Sequence, residues 1–220
     1  MPRKKSLSFR KEQAMQVLQG LQKRYPTPET HLHHTNAWEL LIATVLSAQC
    51  TDARVNMVTP HLFGKWKDPF ALAQADIKDV EEVIRSTGFY KNKAKNIVAA
   101  AKLISTKYNG EVPKSMEALV EVPGVARKTA NVVLYTAYGI NVGLAVDTHV
   151  KRITHRLGLT NSTDPIQVEK DLMEVFPQEE WGNVNHRLVW FGRHICDARK
   201  PLCDQCEFNE ICPKLEPKKD

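Results

Sequence analysis

Apolar residues recur along nearly the whole chain every three or four positions, the spacing of an α-helix. Trp38, Leu41 and Val45, for example, fall on one side of a single helix. No run shows the sustained alternation of apolar and polar residues that marks a half-buried β-strand. The pattern therefore predicts an all-α protein of roughly ten short helices joined by tight turns.

Capping residues predict where several helices begin and end. The first helix is expected from about Phe9 to Arg24, before a pair of prolines. Asn36 is a predicted N-cap, with Glu39 three residues later as in a capping box. Further starts are predicted after Asp68, Asp76 and Asp164. Helix ends are predicted at Gly64, Gly88, Gly110, Gly139 and Gly158.

The chain contains no low-complexity linker and no fixed repeat, so domain boundaries must come from its chemistry. A C-terminal group of cysteines needs a helical platform, and the nearest predicted helices supply it. We therefore expect a central helical domain over residues 35–143 and a second domain over residues 144–220. The N-terminal segment, residues 1–34, is expected to pack with the second domain.

Four cysteines close the chain as Cys196-x6-Cys203-x2-Cys206-x5-Cys212. Thiols at this density without a secretory signal are more typical of metal ligands than of disulfides. Zinc sites usually draw on two short Cys-x2-Cys hooks, whereas this segment has one short hook and two wider spacings. The spacing favours an iron-sulfur cluster over zinc, with a disulfide pair third.

Charge and length limit the classes of function. The 220 residues carry a formal net charge of +6, which favours a polyanionic partner, although a solvated basic surface is the simpler alternative. The longest apolar run, around Trp38 to Leu46, is too short to span a bilayer, and the basic start lacks the apolar stretch of a signal peptide. We expect no membrane partner and a cytoplasmic, nucleoid-associated location.

The segment from Ser115 to Gly139 predicts two helices separated by a Pro-Gly turn. Free backbone amides near Gly124, Val125 and Ala126 would point outward at the positive end of the second helix, which suits a phosphate oxygen. Arg127, Lys128 and Thr129 follow at once. An ordinary helical hairpin with solvated basic residues would have the same pattern.

VPGVARKTANVVL, followed by AVDTHVKRI and the four cysteines, resembles the helix-hairpin-helix family of base-excision DNA glycosylases, in particular its bacterial endonuclease III branch. LLIATVLSAQCTD and TGFYKNKAKNI also resemble family segments, so the likeness extends from Asn36 to Cys212. It implies a two-domain fold with the hairpin at about residues 115–139 and a [4Fe-4S] cluster on Cys196, Cys203, Cys206 and Cys212. Ala126 stands where the hairpin often has a second glycine.

The resemblance also implies the chemistry. Lys128 would attack the sugar C1′ as a neutral amine, and the positive end of the helix would disfavour its ammonium form. Asp147 would be the catalytic carboxylate, and its place before a helix also makes it a plausible N-cap. From the residues alone, a phosphate contact or a solvated first-turn lysine is the favoured interpretation of Lys128. His149 receives no role from the resemblance.

DNA contacts follow from the same likeness. A buried base must be flipped out of the duplex, and Gln49 and Phe89 are candidates to fill the vacated space. Phe89 could instead be a core aromatic. Arg199 and Lys200 lie in the loop between Cys196 and Cys203, which metal would hold at both ends, and are expected to contact phosphates without sequence preference. A solvated basic loop is the alternative. Cys50 is most simply a small apolar residue at a helix end.

We therefore predict a monomeric, bifunctional DNA glycosylase and abasic-site lyase that removes oxidised or ring-damaged pyrimidines from damaged double-stranded DNA. The adenine-mismatch branch of the superfamily is one alternative, although it lacks a nucleophilic lysine at this place. A thymine-mismatch or photoproduct enzyme is another. A non-catalytic, zinc-containing DNA-binding module is the alternative outside enzymes.

Overall fold

A computed structural model describes residues 6–216, and these contain eleven α-helices, three short 3₁₀ helices and no β-strand. The all-α prediction is confirmed. Residues 1–5 and 217–220, at the two ends of the predicted domains, lie outside the described range. The helices are α1 (Leu7–Arg24), α2 (Ala37–Leu46), α3 (Asp52–Lys65), α4 (Pro69–Ala73), α5 (Ile77–Ile84), α6 (Tyr90–Lys107), α7 (Met116–Val120), α8 (Arg127–Tyr138), α9 (Thr148–Arg156), α10 (Pro165–Met173) and α11 (Trp181–His194). The 3₁₀ helices are Arg85–Thr87, Gln178–Glu180 and Cys203–Gln205.

The helices belong to two compact units, each with its own apolar core. The continuous unit is Thr30–Ile140 and contains α2 to α8. The discontinuous unit joins the chain up to Glu29 with the chain from Asn141 onward, and contains α1 and α9 to α11. Sequence reasoning set the corresponding boundaries at 34/35 and 143/144.

Side-chain caps explain most helix starts. Asn36 Oδ1 accepts the Glu39 amide at 2.9 Å, as predicted. The reciprocal bond differs from a standard capping box, because Glu39 Oε2 accepts the amide of Thr35 instead of that of Asn36. α1 begins two residues before the predicted start, since Ser6 Oγ accepts the Phe9 amide and caps the helix there.

One predicted helix end is wrong. Gly64 lies inside α3, which continues to Lys65 and closes with the Trp66 amide donating to Leu62 O. A side chain at Gly64 would meet no atom within 4 Å, so glycine is tolerated there without being required. The four other glycines have positive φ between 67° and 83° and stand at or just after the ends of their helices.

Within the discontinuous unit, α1 is tied to segments far along the chain. Gln13 Nε2 donates to Leu157 O at 2.8 Å and to Ile211 O at 3.0 Å. Arg10, also buried, donates to Leu159 O and pairs with Glu174. These bonds join the N-terminal helix to the segments that follow α9 and α10 and to the cysteine segment itself, directly before Cys212.

Candidate nucleic-acid interface and metal centre

The turn between α7 and α8 depends on Gly124. Its φ is +83°, a conformation that L side chains rarely adopt. An added Cβ would also lie 3.0 Å from Asn96 Cβ and 3.3 Å from Val45 Cγ1, both in the continuous unit. A glycine is therefore required both by the backbone angle and by the neighbours.

The start of α8 has no side-chain cap. The N-cap residue is Ala126, which has no acceptor, so the first-turn amides of Lys128 and Thr129 receive no capping oxygen. Gly124, Ala126 and Lys128 are exposed, as is Arg127, whereas Thr129 is half-buried. This arrangement suits an anion bound at the helix start.

Val125 departs from the prediction. Its amide donates to Val122 O at 3.0 Å and its side chain is buried, so this N–H is not one of the free amides. The internal bond closes the turn that follows α7, and α8 begins at Arg127 instead of near Val125. The exposed residues of the turn are Gly124 and Ala126, on either side of Val125.

Gln49 and Phe89 occupy two exposed turns of the continuous unit. Both have left-handed backbones, with φ of 53° and 48°. Phe89 is 68% exposed and is the N-cap residue of α6, which excludes the core-aromatic alternative. Such angles are uncommon for residues other than glycine and indicate turns held in place by their surroundings.

A functional candidate that sequence reasoning missed lies between these turns and the core. Lys93 in α6 is only 5% exposed, and burial lowers the pKa of its amine. Nζ donates to Leu46 O at 2.8 Å and to Thr87 O at 2.9 Å. The signal was available, since Lys93 lies on the same helical stripe as Ile97 and Ile104, which are buried.

Asp147 lies in the discontinuous unit, at the start of α9. Its Oδ1 accepts the Val150 amide at 2.8 Å, which confirms the predicted N-cap. The segment just before Asp147 is hydrogen-bonded as well, because Asn185 Nδ2 donates to Ala145 O at 2.8 Å. Asp147 is half-buried.

The four C-terminal cysteines line one cavity of about 170 Å³ in the discontinuous unit. All four are half-buried free thiols. Burial raises the pKa of the Cys206 thiol to about 11 and also raises that of Cys212, so the bare cavity disfavours thiolates. Bound iron would supply the positive charge that thiolate ligands require.

The donor set fits a polynuclear cluster. Within residues 6–216, no group of three or more His, Cys, Asp or Glu side chains is arranged to hold a single metal ion. A single zinc would need thiolate sulfurs about 2.3 Å from the metal, whereas a [4Fe-4S] cluster accepts four thiolates spread around a larger object. Cys196, Cys203, Cys206 and Cys212 would hold it.

Hydrogen bonds from nearby side chains hold the backbone of the loop between Cys196 and Cys203. Asp197 Oδ1 accepts the amides of Arg199 and Lys200 at 2.8 and 3.0 Å, and these bonds lower the pKa of the Asp197 carboxyl. Arg156, which is buried, donates to the carbonyl oxygens of Asp197 and Ala198. The Arg199 and Lys200 side chains are exposed.

The predicted site residues divide between the units. Gln49, Phe89 and the hairpin residues, with Lys128, belong to the continuous unit, and Asp147, the four cysteines, Arg199 and Lys200 belong to the discontinuous one. Cys50 is separate from the other cysteines and packs against the core of the continuous unit. His149 Nδ1 lies 3.3 Å from Arg152, whose guanidinium also donates to Cys196 O. None of the described helices combines the length and apolar character needed to cross a membrane.

Comparison with known proteins identifies the family. Residues 42–178 match the HhH-GPD superfamily of base excision DNA repair proteins, and residues 196–212 match the iron-sulfur binding domain of endonuclease III. The second match confirms the predicted cluster over zinc.

Relatives extend the likeness over the whole chain. Endonuclease III of Synechocystis sp. is 50% identical over 212 residues, which cover 96% of this chain and 97% of that protein. A solved non-covalent complex of endonuclease III with DNA has a TM-score of 0.89 at 45% identity, covering 93% of this chain and 95% of that one. A trapped covalent endonuclease III–DNA intermediate, an estranged-adenine complex, has a TM-score of 0.89 at 44% identity, covering 93% and 96%. The chain therefore belongs to the HhH-GPD superfamily of base excision DNA repair proteins and, within it, to the endonuclease III family.

Proposed function

We propose that this protein is a bifunctional DNA glycosylase and abasic-site lyase that removes oxidised or ring-damaged pyrimidines from duplex DNA through Lys128. The observation that carries the proposal is the exposed position of Lys128 in the first turn of α8, which has no side-chain cap and follows a turn that requires glycine. A phosphate bound at this helix start would bring the sugar of a flipped nucleotide within reach of the amine.

The neutral amine of Lys128 attacks the sugar C1′, and the bond between C1′ and the base breaks as the base departs with a proton. The sugar ring opens to an imine between Lys128 Nζ and C1′. The imine makes a proton on C2′ acidic, and its removal expels the 3′ phosphate by β-elimination. Water then hydrolyses the imine and restores the lysine. A trapped covalent intermediate of a 44% identical relative supports this route.

The negative charge of the Asp147 carboxylate assists the same reaction. Positive charge develops on the sugar as the base leaves, and a carboxylate stabilises it and assists proton transfers around the amine. Only one oxygen of Asp147 is needed for the α9 cap, so capping and catalysis are compatible.

The remaining residues bind and distort the DNA. The amides of Gly124 and Ala126, together with Arg127 and Thr129, contact phosphates at the hairpin. Arg199 and Lys200 contact the backbone from the cluster loop, and Gln49 and Phe89 fill the space left by the flipped nucleotide. Phosphate contacts of this kind bind without sequence preference and weaken with salt. The protein acts as a monomer on DNA in the cytoplasm.

A [4Fe-4S] cluster supplies structural cross-linking when bound to the four cysteines. The chain's own residues prepare the site, since Arg156 donates to Cys196 Sγ at 3.5 Å and accepts the Leu215 amide through its carbonyl oxygen. These bonds place the start and the end of the cysteine segment against α9.

Borohydride reduction tests the proposal, because it converts the imine into a stable adduct. Duplexes carrying single damaged pyrimidines, a preformed abasic site, an adenine mismatch and a thymine mismatch are compared. We expect trapping with the damaged pyrimidines and the abasic site, and none with Lys128→Ala. Lys102→Ala, an exposed lysine of α6, is the control that retains trapping. Normal trapping by Lys128→Ala would refute Lys128 as nucleophile, and trapping confined to a mismatch would favour the corresponding alternative.

A further inference from the structure

Lys93 is a buried cation whose position is electrostatically unfavourable. It lies in the first turn of α6, where the positive end of the helix repels an ammonium, and only 5% of the residue is exposed. Both of its hydrogen bonds go to uncharged carbonyl oxygens instead of a carboxylate. A methionine would fill similar space without the free-energy cost of burying an ammonium group. What the lysine adds is therefore its two hydrogen bonds.

Each bond ends just before one of the two exposed turns. Leu46 is the last residue of α2, where carbonyl oxygens have no donor within the helix, and Gln49 follows three residues later. Thr87 is buried and ends a 3₁₀ helix directly before Gly88 and Phe89. One ammonium thus joins two backbone segments that are about forty residues apart along the chain.

The turns themselves need support of this kind. Gln49 and Phe89 both hold positive φ, which costs energy for residues other than glycine and persists only where the surroundings enforce it. Phe89 has no side-chain acceptor to cap α6, and its own carbonyl accepts the amides of Asn92 and Lys93. Backbone and side chain of Lys93 therefore both anchor the Phe89 turn.

We propose that Lys93 is a positioning residue that holds the Gln49 and Phe89 turns in a fixed mutual arrangement, so that both side chains enter the vacated base stack together. The role in DNA binding rests on the proposed function, whereas the two hydrogen bonds of Lys93 are observed independently of it. Lys93 acts through the two turns and contacts neither DNA nor the reacting atoms.

Hydrogen exchange without DNA tests the anchoring. The reporters are the amides of Cys50, which donates to Ser47 O, and of Asn92, which donates to Phe89 O. We expect Lys93→Met to speed exchange of both by on the order of tenfold, because two buried carbonyls lose their donor. Lys102→Met removes an equal charge from an exposed site of the same helix and should change neither. Unchanged exchange at both reporters in folded Lys93→Met would overturn the proposal.

A double-mutant cycle tests the link to base excision. Single-turnover rates are measured for Lys93→Met, for Gln49→Ala with Phe89→Ala, and for the combination. We expect Lys93→Met to slow excision by about tenfold alone and to add nothing once both tip side chains are absent. Full additivity of the two effects would show that Lys93 acts elsewhere.

Two further measurements separate the possible failures. Borohydride trapping on single-stranded abasic DNA requires no stack to be filled, so Lys93→Met should retain it within about twofold.

If Lys93→Met does not fold, Lys93→Gln replaces it, since its amide keeps N–H donors and should give smaller effects in the same direction. A wild-type protein inactive on every substrate would refute the proposed function, and the exchange experiment would still decide the anchoring.

Discussion

At the scale of a single residue, Asp147 caps a helix and is also the proposed catalytic carboxylate, and substitutions can separate the two roles. Its Oδ1 caps α9 by accepting the Val150 amide, a role that any short side chain with an oxygen could fill. Its negative charge is needed only by the proposed reaction. The cap was predictable because it depends on residues within one turn, and the structure confirms it, whereas the catalytic role stays a prediction from the family motif.

Asp147→Asn keeps an oxygen for the cap and removes the charge. We expect the free energy of unfolding to stay within about 0.5 kcal/mol of the wild-type value and single-turnover excision to slow by at least about 100-fold. Asp147→Ala should lose about 1 kcal/mol of stability as well. Chemical denaturation and quenched-flow kinetics measure the two effects, and normal excision by Asp147→Asn would leave the residue with its capping role alone.

The hairpin turn and the cluster loop act at the scale of elements. In the hairpin, Gly124 provides the backbone angle, and the uncapped start of α8 leaves amides for an anion. In the cluster loop, Asp197 and Arg156 bind the backbone so that Arg199 and Lys200 project from an ordered segment. Both elements carry exposed cationic residues, one at a helix start and the other on a hydrogen-bonded loop.

Gly124→Ala should damage the hairpin. An alanine must adopt φ of +83° with its Cβ 3.0 Å from Asn96 Cβ, so we expect a loss of about 1–3 kcal/mol of stability and weaker DNA binding. Gly64→Ala is the matched control, since this glycine lies within α3 with no atom near the added methyl group. That change should stabilise the protein by about 0.5–1 kcal/mol. Equal effects of the two substitutions in thermal unfolding would contradict the role of Gly124.

Arg199→Gln and Lys200→Gln should each weaken DNA binding uniformly across sequences. Each lost phosphate contact is expected to reduce the slope of log affinity against log salt by about 0.9. Lys170→Gln, an exposed lysine of α10, provides the control for lost net charge. Fluorescence anisotropy between low and physiological salt measures the slopes, and an unchanged slope would remove that residue from the contact set.

At the scale of the whole molecule, the two units have separate cores and separate sources of stability. The continuous unit depends on apolar packing of α2 to α8. The discontinuous unit has an apolar core of its own, which includes Phe208, and its segment from Cys196 to Cys212 also lines the cavity of the four cysteines. Loss of the cluster should therefore affect the discontinuous unit first.

Removal of iron with a chelator under reducing conditions tests this difference. We expect the visible absorption of the cluster to disappear and amides from Cys196 to Cys212 to exchange much faster, together with those of α1 that contact this segment. Exchange in the core of the continuous unit should stay within about twofold. Equal loss of protection in both units would show that their folding is coupled.

The sequence by itself determined the features that depend on a few neighbouring residues. Helical periodicity, the caps at Asn36 and Asp147, the glycine turn at Gly124 and the thiol donor set all follow from local sterics and side-chain chemistry. Gly64 shows the limit of that approach, since glycine can end a helix but does so only where the backbone takes a positive φ.

Only the tertiary structure decided what each residue meets from distant parts of the chain. Burial and hydrogen-bond partners depend on segments that are far apart along the chain and pack together in the fold. Lys93 thus became an anchor for two carbonyls, the amide of Val125 was taken by Val122, and Phe89 proved to be exposed instead of part of the core. The helical stripe of Lys93 indicates that it faces the core, but local sequence does not specify its partners, because these arise from how whole helices pack.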